Sequence, residues 1–410
     1  MTGRKTLALT TLCGVVILAI LFHFLNPDDV WHLWNVPTMD PGFNDLRDVL
    51  AGIEPSQTVD NSTNDSFGLV GGYPKIWALF GELGLNSNDV NWLALTIIYL
   101  FWGSLFLFTR SYDNSTALWM SVVIFSPAAM LGYERGNLDM VIFVFLSSAL
   151  AIDQYSRFMS VGLVSLAAML KIYPIVGLSY LLKETRDKFH IWVGICIGAF
   201  IIYAISIHRA LKGIINYIPK GSYFDYGTEV IGFRIYEMSD SKILSNIGVV
   251  LAYLALYLLI VAVLYLSHLT PDRPVVIDRR FIDAFRLGAA IYLGTFIEGN
   301  SFNYRLIFLL FCIPQIIIWM SSHTGIRIWA RIAILTLIVS CWGMLLLSIL
   351  PMDLAFWLDE LANWVLFTGL LFLFFVSLPD WLIKEIDGFF NRYRFLTKKI
   401  TAEPSSGSTP

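Results

Sequence analysis

The chain has 410 residues, of which 57% are hydrophobic and only 14% are charged, and its mean hydropathy is +0.67. This composition excludes a soluble globular domain of this size, because so much apolar surface would aggregate in water. The formal net charge of -3 provides no basic surface for nucleic acid, so no nucleic-acid partner is predicted. The chain is therefore predicted to be an all-α polytopic membrane protein surrounded by a lipid bilayer.

Apolar runs long enough to cross a bilayer recur along the chain. At about 17–25 apolar residues for each crossing, they predict about 10–12 transmembrane segments in a single domain, residues 1–400. Polar stretches interrupt the runs at 26–90, an acidic segment predicted to be a long first outer loop, and at 209–243, a Tyr-rich second outer loop. The Ser/Pro/Gly-rich tail 401–410 is predicted to be disordered.

The distribution of Lys and Arg predicts the orientation. Arg4 and Lys5 precede the first apolar run and a basic cluster follows the last one, so both chain ends are predicted to be cytoplasmic. This orientation requires an even number of crossings. The apolar runs give an odd number, so one of them has to be broken. We predict that this run is Val161–Leu182, because Lys171 and Pro174 interrupt it. If the chain turns there on the outer side, the unusual polar segments all lie on the outer face.

The first outer loop carries two carboxylates three residues apart, Asp45 and Asp48, which share a face if the segment is helical. A carboxylate here could take a proton from a hydroxyl group during sugar transfer, although most loop carboxylates are merely solvated. Further along, Tyr73 and Lys75 are candidate sugar or acceptor contacts. They precede Ile76–Leu83, whose apolar spacing predicts an amphipathic helix lying in the membrane interface.

A second polar segment, Glu134–Asp139, has the sequence ERGNLD and falls between two apolar runs. Arg135 is a candidate ligand for a phosphate group, and Asn137 and Asp139 are candidates for binding hydroxyl groups. The alternative is that Glu134 and Arg135 neutralise each other at a helix boundary. The residues themselves leave both interpretations open.

Two further cations belong to the same predicted face. Lys171, beside Tyr173, is predicted to bind a lipid phosphate because its helix is broken there, and snorkelling to the headgroups is the alternative. Arg305 follows Asn300 and Asn303 directly before an apolar run and is a second candidate phosphate ligand. Tyr173, Asn300 and Asn303 are candidate sugar or acceptor contacts.

The sequence indicates no metal site and no cofactor. The four cysteines lie inside apolar runs without metal-ligand spacing, and no cluster of His and Asp residues is visible. The cysteines are therefore predicted to act as small hydrophobic residues in packed helices.

Five of these segments together resemble the motifs of a known family. They are Asp45–Arg47, Tyr73–Trp77, Arg135–Asp139, Lys171–Pro174 and Asn300–Leu310. In residue type and order they resemble integral-membrane glycosyltransferases of the GT-C fold. The most similar family is the bacterial glycosyltransferase family 87, which includes polyprenyl-phosphate-mannose-dependent mannosyltransferases. The resemblance ends near the last of these segments and is thin beyond it.

The resemblance implies a GT-C-type fold and an inverting glycosyltransferase. The donor would be a polyprenyl-phosphate sugar, with mannose expected, and the acceptor would be a lipid or a glycan. The active site would lie on the outer face of the membrane. The lack of a large soluble domain favours the bacterial inner membrane over the endoplasmic reticulum, so the outer face is expected to be periplasmic.

The resemblance also implies roles for individual residues. Asp45 matches the catalytic base of the family. The cations that would stabilise the departing lipid phosphate, without a metal, are Arg135, Lys171 and Arg305. The double-Asp form of the first-loop motif in eukaryotic relatives is not reproduced, because a leucine and an arginine follow Asp45. Asp48 therefore remains a competing candidate for the base.

A polytopic transporter or flippase for lipids or sugars is the alternative interpretation. Such proteins often show internal repeats and discontinuous helices around a site near the membrane midplane. This chain has one predicted broken helix but no visible repeat, and its polar residues lie toward one face. An enzyme is therefore favoured.

Overall fold

The computed structural model describes residues 2–53, 69–70, 73–108, 112–207, 221, 223–270, 278–322, 325–386 and 388. The α-helices in chain order are α1 (Gly3–Phe24), α2 (Pro27–His32), α3 (Asn44–Ile53), α4 (Ala78–Glu82), α5 (Val90–Ser104), α6 (Asn114–Ile124), α7 (Pro127–Arg135), α8 (Asp139–Ile152), α9 (Arg157–Leu170), α10 (Arg186–Ser206), α11 (Val230–Ser239), α12 (Lys242–Leu269), α13 (Arg279–Glu298), α14 (Ile313–Met320), α15 (Ile326–Ile349) and α16 (Met352–Val376).

Short 3-10 helices and strands connect these helices. The 3-10 helices are Lys75–Trp77, Ser87–Asp89, Tyr173–Lys183 and Asn303–Phe311. The strands are β1 (Leu69–Val70), β2 (Tyr73–Pro74), β3 (Asp225–Tyr226) and β4 (Ser301–Phe302). They pair antiparallel, β1 with β2 and β3 with β4, so the second pair joins the predicted second loop to the segment before Arg305.

In the described part of the chain, five helices are long and apolar enough to cross a membrane: α1, α10, α12, α15 and α16. Two pairs of helices bent by 52° and 59°, α6 with α7 and Asn303–Phe311 with α14, raise the number to seven if each pair is one span. The apolar helices α8 and α9 are shorter, with 14 residues each. The chain is thus an all-α polytopic membrane protein, as predicted. The higher number of spans and the GT-C fold stay predictions.

The predicted break at Lys171 is present. Helix α9 ends at Leu170, Lys171 is extended (φ -142°, ψ 139°), and a 3-10 helix begins at Tyr173. Pro174 lies in the first turn of that helix, where its missing backbone N–H costs no hydrogen bond. Lys171 therefore lies at a helix end and not within a continuous span.

Aromatic rings hold the 3-10 helix Asn303–Phe311 against α8. The ring of Phe311 stacks on that of Phe143 in α8, with centroids 4.3 Å apart, and Phe308 lies against the same ring. Helix α13 also packs closely on this segment, because Gly288 has no side chain: a Cβ there would lie 2.7 Å from the Phe308 carbonyl oxygen. These contacts place the 3-10 helix alongside α8.

At the C-terminal end of α8, an ion network joins four helices. Asp153, the residue after α8, pairs with Arg157 and Lys183, and Lys183 also pairs with Asp283 of α13 at 2.7 Å. Arg157 pairs with Glu184 as well. At 1.5 Å per residue, this network lies about 20 Å from the first residue of α8. Charged residues therefore group at the two ends of a short apolar helix, as expected in lipid.

The described part of the first loop folds onto the turn between α7 and α8. Gly136 ends α7 in the left-handed conformation (φ +59°), and a Cβ there would lie 3.2 Å from the Cβ atoms of Phe43 and Leu46. The Phe43 backbone N–H donates to the Glu134 carbonyl oxygen at 2.9 Å. The absence of a side chain at Gly136 thus allows α3 to lie directly against this turn.

The helix predicted over Ile76–Leu83 is shorter than expected, and its position in the membrane interface stays a prediction. The segment forms a 3-10 turn followed by α4, which has 5 residues. Trp77 is buried, and its indole N–H donates to the Leu170 carbonyl oxygen at 3.3 Å, whereas Leu79 and Leu83 are exposed. The tryptophan therefore anchors the first loop to the end of α9, because its ring packs within the protein.

We expect Gly136→Ala to lower the free energy of unfolding by about 1–2 kcal/mol, because alanine is strained at positive φ and its Cβ would press on α3. Thermal unfolding in detergent measures the change. The matched control is Gly162→Ala in α9, where nothing lies within 4 Å of an added Cβ and alanine favours the helix. Unchanged stability of the Gly136 variant would contradict the close contact assigned to this turn.

Candidate functional site

Asp139 is the centre of the candidate site. It is the first residue of α8, and 0% of its surface is exposed. Its Oδ1 accepts hydrogen bonds from Lys171 Nζ at 2.6 Å and from the Tyr173 hydroxyl at 2.8 Å. Its Oδ2 lies 3.6 Å from Arg305 Nε. The carboxylate is therefore enclosed by two cations, which compensate its burial.

Asn137 connects this cluster to Asp45. The side-chain amide of Asn137 donates to Asp45 Oδ2, and its Oδ1 accepts from the Asp139 backbone N–H at 2.8 Å and from Lys171 Nζ at 3.4 Å. Asn137 follows the left-handed glycine that ends α7, at the turn against which α3 packs. Helix α3, the α7–α8 turn, the break after α9 and the 3-10 helix that carries Arg305 thus contribute to one network.

Asp45 lies at the edge of the network, in the first turn of α3. Burial raises the pKa of its carboxyl group above the ordinary value. The Lys171 charge, the Asn137 amide and the Arg135 charge oppose this rise, and Asp139 adds to it. A carboxylate with increased proton affinity beside cations has the properties of a general base.

The two first-loop carboxylates lie in different surroundings. Both belong to α3, so the segment is helical. Asp45 is bonded to Asn137, whereas Asp48 is exposed and accepts a hydrogen bond from the Asn44 side chain at 3.3 Å. The geometry therefore favours Asp45 over Asp48 as the candidate base.

Aromatic rings flank both cations of the cluster. The Arg305 guanidinium lies 4.8 Å from the ring centroid of Tyr173, and Lys171 Nζ lies 5.8 Å from that of Tyr304. Such cation–π contacts stabilise cations that have lost their water. Arg305 Nη1 also donates to the Ser301 hydroxyl at 2.8 Å. These contacts hold the cationic groups in defined positions.

Arg135 contacts the first loop. Its Nε pairs with Glu134 at 3.2 Å, and its Nη2 donates to the Pro37 carbonyl oxygen at 3.4 Å. Glu134 in turn accepts from the Met39 backbone N–H at 2.8 Å. The Glu134–Arg135 pair is therefore present, and it holds the loop that carries Asp45. A phosphate contact by Arg135 stays a prediction.

The other predicted contacts lie around this network. Asn300 donates to the Gly221 carbonyl oxygen at 2.9 Å. Asn303 is buried, and within the described part of the chain neither polar atom of its side chain forms a hydrogen bond. Tyr73 begins β2 and Lys75 begins the next 3-10 helix, but their side chains lie outside the described structure. Also outside it are 54–68, 208–220 and 401–410, from the predicted outer loops and tail.

One carboxylate near the cluster was not predicted, Asp225 of β3. The pairing of β3 with β4 places it opposite Phe302, close in sequence to Arg305. Asp225 is 3% exposed, and its Oδ2 accepts from the Gly221 backbone N–H at 2.9 Å. Burial raises its pKa to about 6, against the lowering effects of that N–H, of the Arg305 charge and of the Asn300 amide. The available signal was an acidic residue among the aromatic residues of the second loop.

The carboxylates of the site face cations and amides. Across the described ranges, no group of three or more His, Cys, Asp or Glu residues is arranged to hold a metal ion. All four cysteines are free, and Cys13 is exposed while the others are buried. The described network itself presents carboxylates, two cations and hydrogen-bonding groups.

Comparison of the chain with models of protein families, with curated proteins and with solved structures finds no significant match. The family resemblance therefore rests on the short motifs themselves. What the structure adds is that the motifs around Asp45, Asp139, Lys171 and Arg305 meet in one network although they are far apart in sequence.

We expect Asp139→Asn to destabilise the folded protein by about 3–5 kcal/mol, because it leaves the largely buried Lys171 and Arg305 without the carboxylate between them. Thermal unfolding in detergent measures this loss. The matched control is Asp28→Asn, the same substitution at an exposed position in α2. If both variants unfold at the wild-type temperature, Asp139 does not hold the two cations.

Proposed function

We propose that this protein is an inverting glycosyltransferase of the GT-C type. It transfers a sugar, mannose by the family resemblance, from a polyprenyl-phosphate donor to a lipid or glycan acceptor. The observation that supports this proposal is the buried network that joins a candidate base, Asp45, to two cations, Lys171 and Arg305. Transfer of a sugar from a lipid phosphate requires a base and phosphate-stabilising cations within one site.

In the proposed reaction, Asp45 accepts the proton of an acceptor hydroxyl group while that oxygen forms a bond to the anomeric carbon. On the opposite face of the sugar, the bond from the anomeric carbon to the phosphate oxygen breaks, and its electron pair leaves with the lipid phosphate. Lys171 and Arg305 stabilise the negative charge that develops there. Because attack and departure occur on opposite faces, the configuration inverts.

The other residues of the network position these groups. Asn137 holds Asp45 through its amide, and Asp139 holds Lys171 and, with Tyr173, completes the surroundings of the cations. Since the groups are buried and already bonded to one another, little reorganisation accompanies the reaction. Such preorganisation is the main source of electrostatic stabilisation in enzymes.

We place the site on the outer face, which is the periplasmic face if the protein lies in a bacterial inner membrane. At the opposite end of α8, Asp153 pairs with Lys183, and Arg186 and Lys188 follow Lys183 closely in sequence. Short basic segments of this kind lie on the cytoplasmic side of polytopic proteins. Asp139, at the other end of the same helix, is then directed outward.

A transporter or flippase is the second candidate. Buried Asp, Lys and Arg residues between helices are also typical of ion-coupled transport pathways, and the cluster of Asp139, Lys171 and Arg305 has this composition. The two functions differ in the fate of the donor. An enzyme breaks the bond between sugar and phosphate, whereas a flippase moves the lipid intact.

We expect the purified protein in nanodiscs to transfer radiolabelled mannose from polyprenyl-phosphate mannose to extracted host lipids or glycans. Asp45→Asn should lower this transfer by about 10²-fold or more, because the acceptor proton then has no base. Its unfolding temperature should be unchanged or higher, since asparagine replaces a carboxylate whose charged form burial disfavours.

Asp48→Asn is the matched comparison, because it makes the same change on the exposed side of α3. If Asp45→Asn still transfers sugar and Asp48→Asn is inactive, the base is Asp48, one helical turn after Asp45. If the wild type transfers no sugar but moves intact lipid across vesicle membranes, the enzyme proposal is wrong and the flippase is supported.

The raised pKa of Asp45 predicts an acidic limb in the pH profile of transfer. The base must be ionised, so kcat/KM should fall as the pH decreases through the Asp45 pKa, above the ordinary value of about 3.9. The profile is also measured for Asp225→Asn, because Asp225 has a pKa of about 6. If the acidic fall of kcat/KM disappears in this variant, the titration of Asp225 causes it. A constant kcat/KM down to about pH 4 would contradict the role of Asp45.

A further inference from the structure

The second outer loop brings a buried carboxylate beside Arg305. In the pairing of β3 with β4, Asp225 lies opposite Phe302, and the Asn303 backbone N–H donates to the Phe224 carbonyl oxygen at 2.8 Å. The 3-10 helix that carries Arg305 begins directly after this pairing. The segment that positions the arginine therefore also positions Asp225.

Within the described structure, Oδ2 is the Asp225 oxygen that accepts a hydrogen bond, and the Asn300 amide lies near the carboxyl group and lowers its pKa. Its Oδ2 accepts from the Gly221 backbone N–H at 2.9 Å, and Asn300 holds the same glycine by donating to its carbonyl oxygen at 2.9 Å. Oδ1 is buried and accepts no hydrogen bond from the part of the chain that the structure describes. A buried polar atom without a partner is unfavourable, so an oxygen held in this way points to a ligand group.

Asp225 and Asp45 are each influenced by a different cation of the network. Asp45 is linked to Lys171 through Asn137, whereas the charge that acts on Asp225 is that of Arg305. Among the described contacts, no ion pair joins Asp225 to Arg305, although the Arg305 charge lowers the pKa of Asp225. A ligand whose phosphate contacts Arg305 would thus extend its neighbouring groups toward Asp225.

We propose that Asp225 Oδ1 accepts a hydrogen bond from a hydroxyl group of the donor sugar, the phosphate of which lies at Lys171 and Arg305. This inference rests on the proposed function and assigns recognition of the sugar to the second outer loop. Ionised carboxylates are strong acceptors for hydroxyl groups. A site built around such an acceptor rejects a ligand that lacks the matching hydroxyl, because the acceptor is then left unpaired. Asp225 therefore determines specificity for the sugar.

The test compares two lipids, polyprenyl phosphate and polyprenyl-phosphate mannose, in equilibrium binding to the full chain in nanodiscs. The wild type should bind the mannose-bearing lipid more tightly. In Asp225→Asn, the ratio of the affinity for polyprenyl-phosphate mannose to that for polyprenyl phosphate should fall roughly tenfold or more, while the affinity for polyprenyl phosphate is unchanged. The matched control is Asp240→Asn, the same substitution at an exposed left-handed position after α11, where asparagine is readily accommodated.

The outcomes separate this inference from the proposed function. An Asp225→Asn protein that keeps the wild-type preference overturns the inference, and so does a wild type that binds both lipids equally. In either case the lipid phosphate is still bound and the proposed function stands. A wild type that binds neither lipid contradicts the proposed function itself.

The first step of a second measurement uses the wild type alone. Among analogues of polyprenyl-phosphate mannose that each lack one hydroxyl group, at least one should bind the wild type about tenfold more weakly than the parent lipid. The Asp225→Asn protein should bind this analogue and the parent lipid with equal affinity. In a double-mutant cycle, this result indicates that Asp225 pairs directly with the missing hydroxyl group. If no single hydroxyl affects wild-type binding, the inference is wrong.

Discussion

The burial of the Asp139 carboxylate is the constraint on which the rest of the structure depends. An isolated charge inside a protein that lies in lipid is strongly unfavourable, so cations have to be brought to it. Lys171 and Arg305 come from remote segments and meet at this carboxylate. Asn137 then connects the same carboxylate to Asp45, which fixes the first loop on the network. A single buried charge thereby determines where four segments of the chain meet.

Both cations lie in segments where the backbone is not α-helical. Lys171 is extended between α9 and a 3-10 helix, and Arg305 lies in the first turn of another 3-10 helix. In a continuous α-helix of spanning length, either residue would lie within an apolar surface and carry a high cost. Interrupted helices are tolerated inside a membrane protein when neighbouring groups satisfy the freed backbone. The two 3-10 helices are therefore part of how the site is built.

Much of this arrangement could be predicted, because polar residues stand out in an apolar chain. The membrane class and the break at Lys171 follow from composition and proline chemistry, and the positive-inside rule places Asp45 and Arg305 on one face. Asp225 could not be assigned, since its position depends on pairing between two remote strands that are too short to show periodicity. The burial of Trp77 could not be predicted either, because an aromatic residue at helical spacing can face lipid or protein, and only tertiary packing decides between them.

The charge balance of the network indicates how donor binding and base strength would be coupled. The two positive charges of Lys171 and Arg305 equal in number the two negative charges of Asp139 and Asp45. A phosphodiester donor adds a further negative charge, which raises the proton affinity of Asp45. When Asp45 takes the acceptor proton it loses its own charge, while the departing lipid phosphate gains one. The total charge of the site then stays constant during transfer, so the reaction creates no new uncompensated charge in surroundings of low dielectric constant.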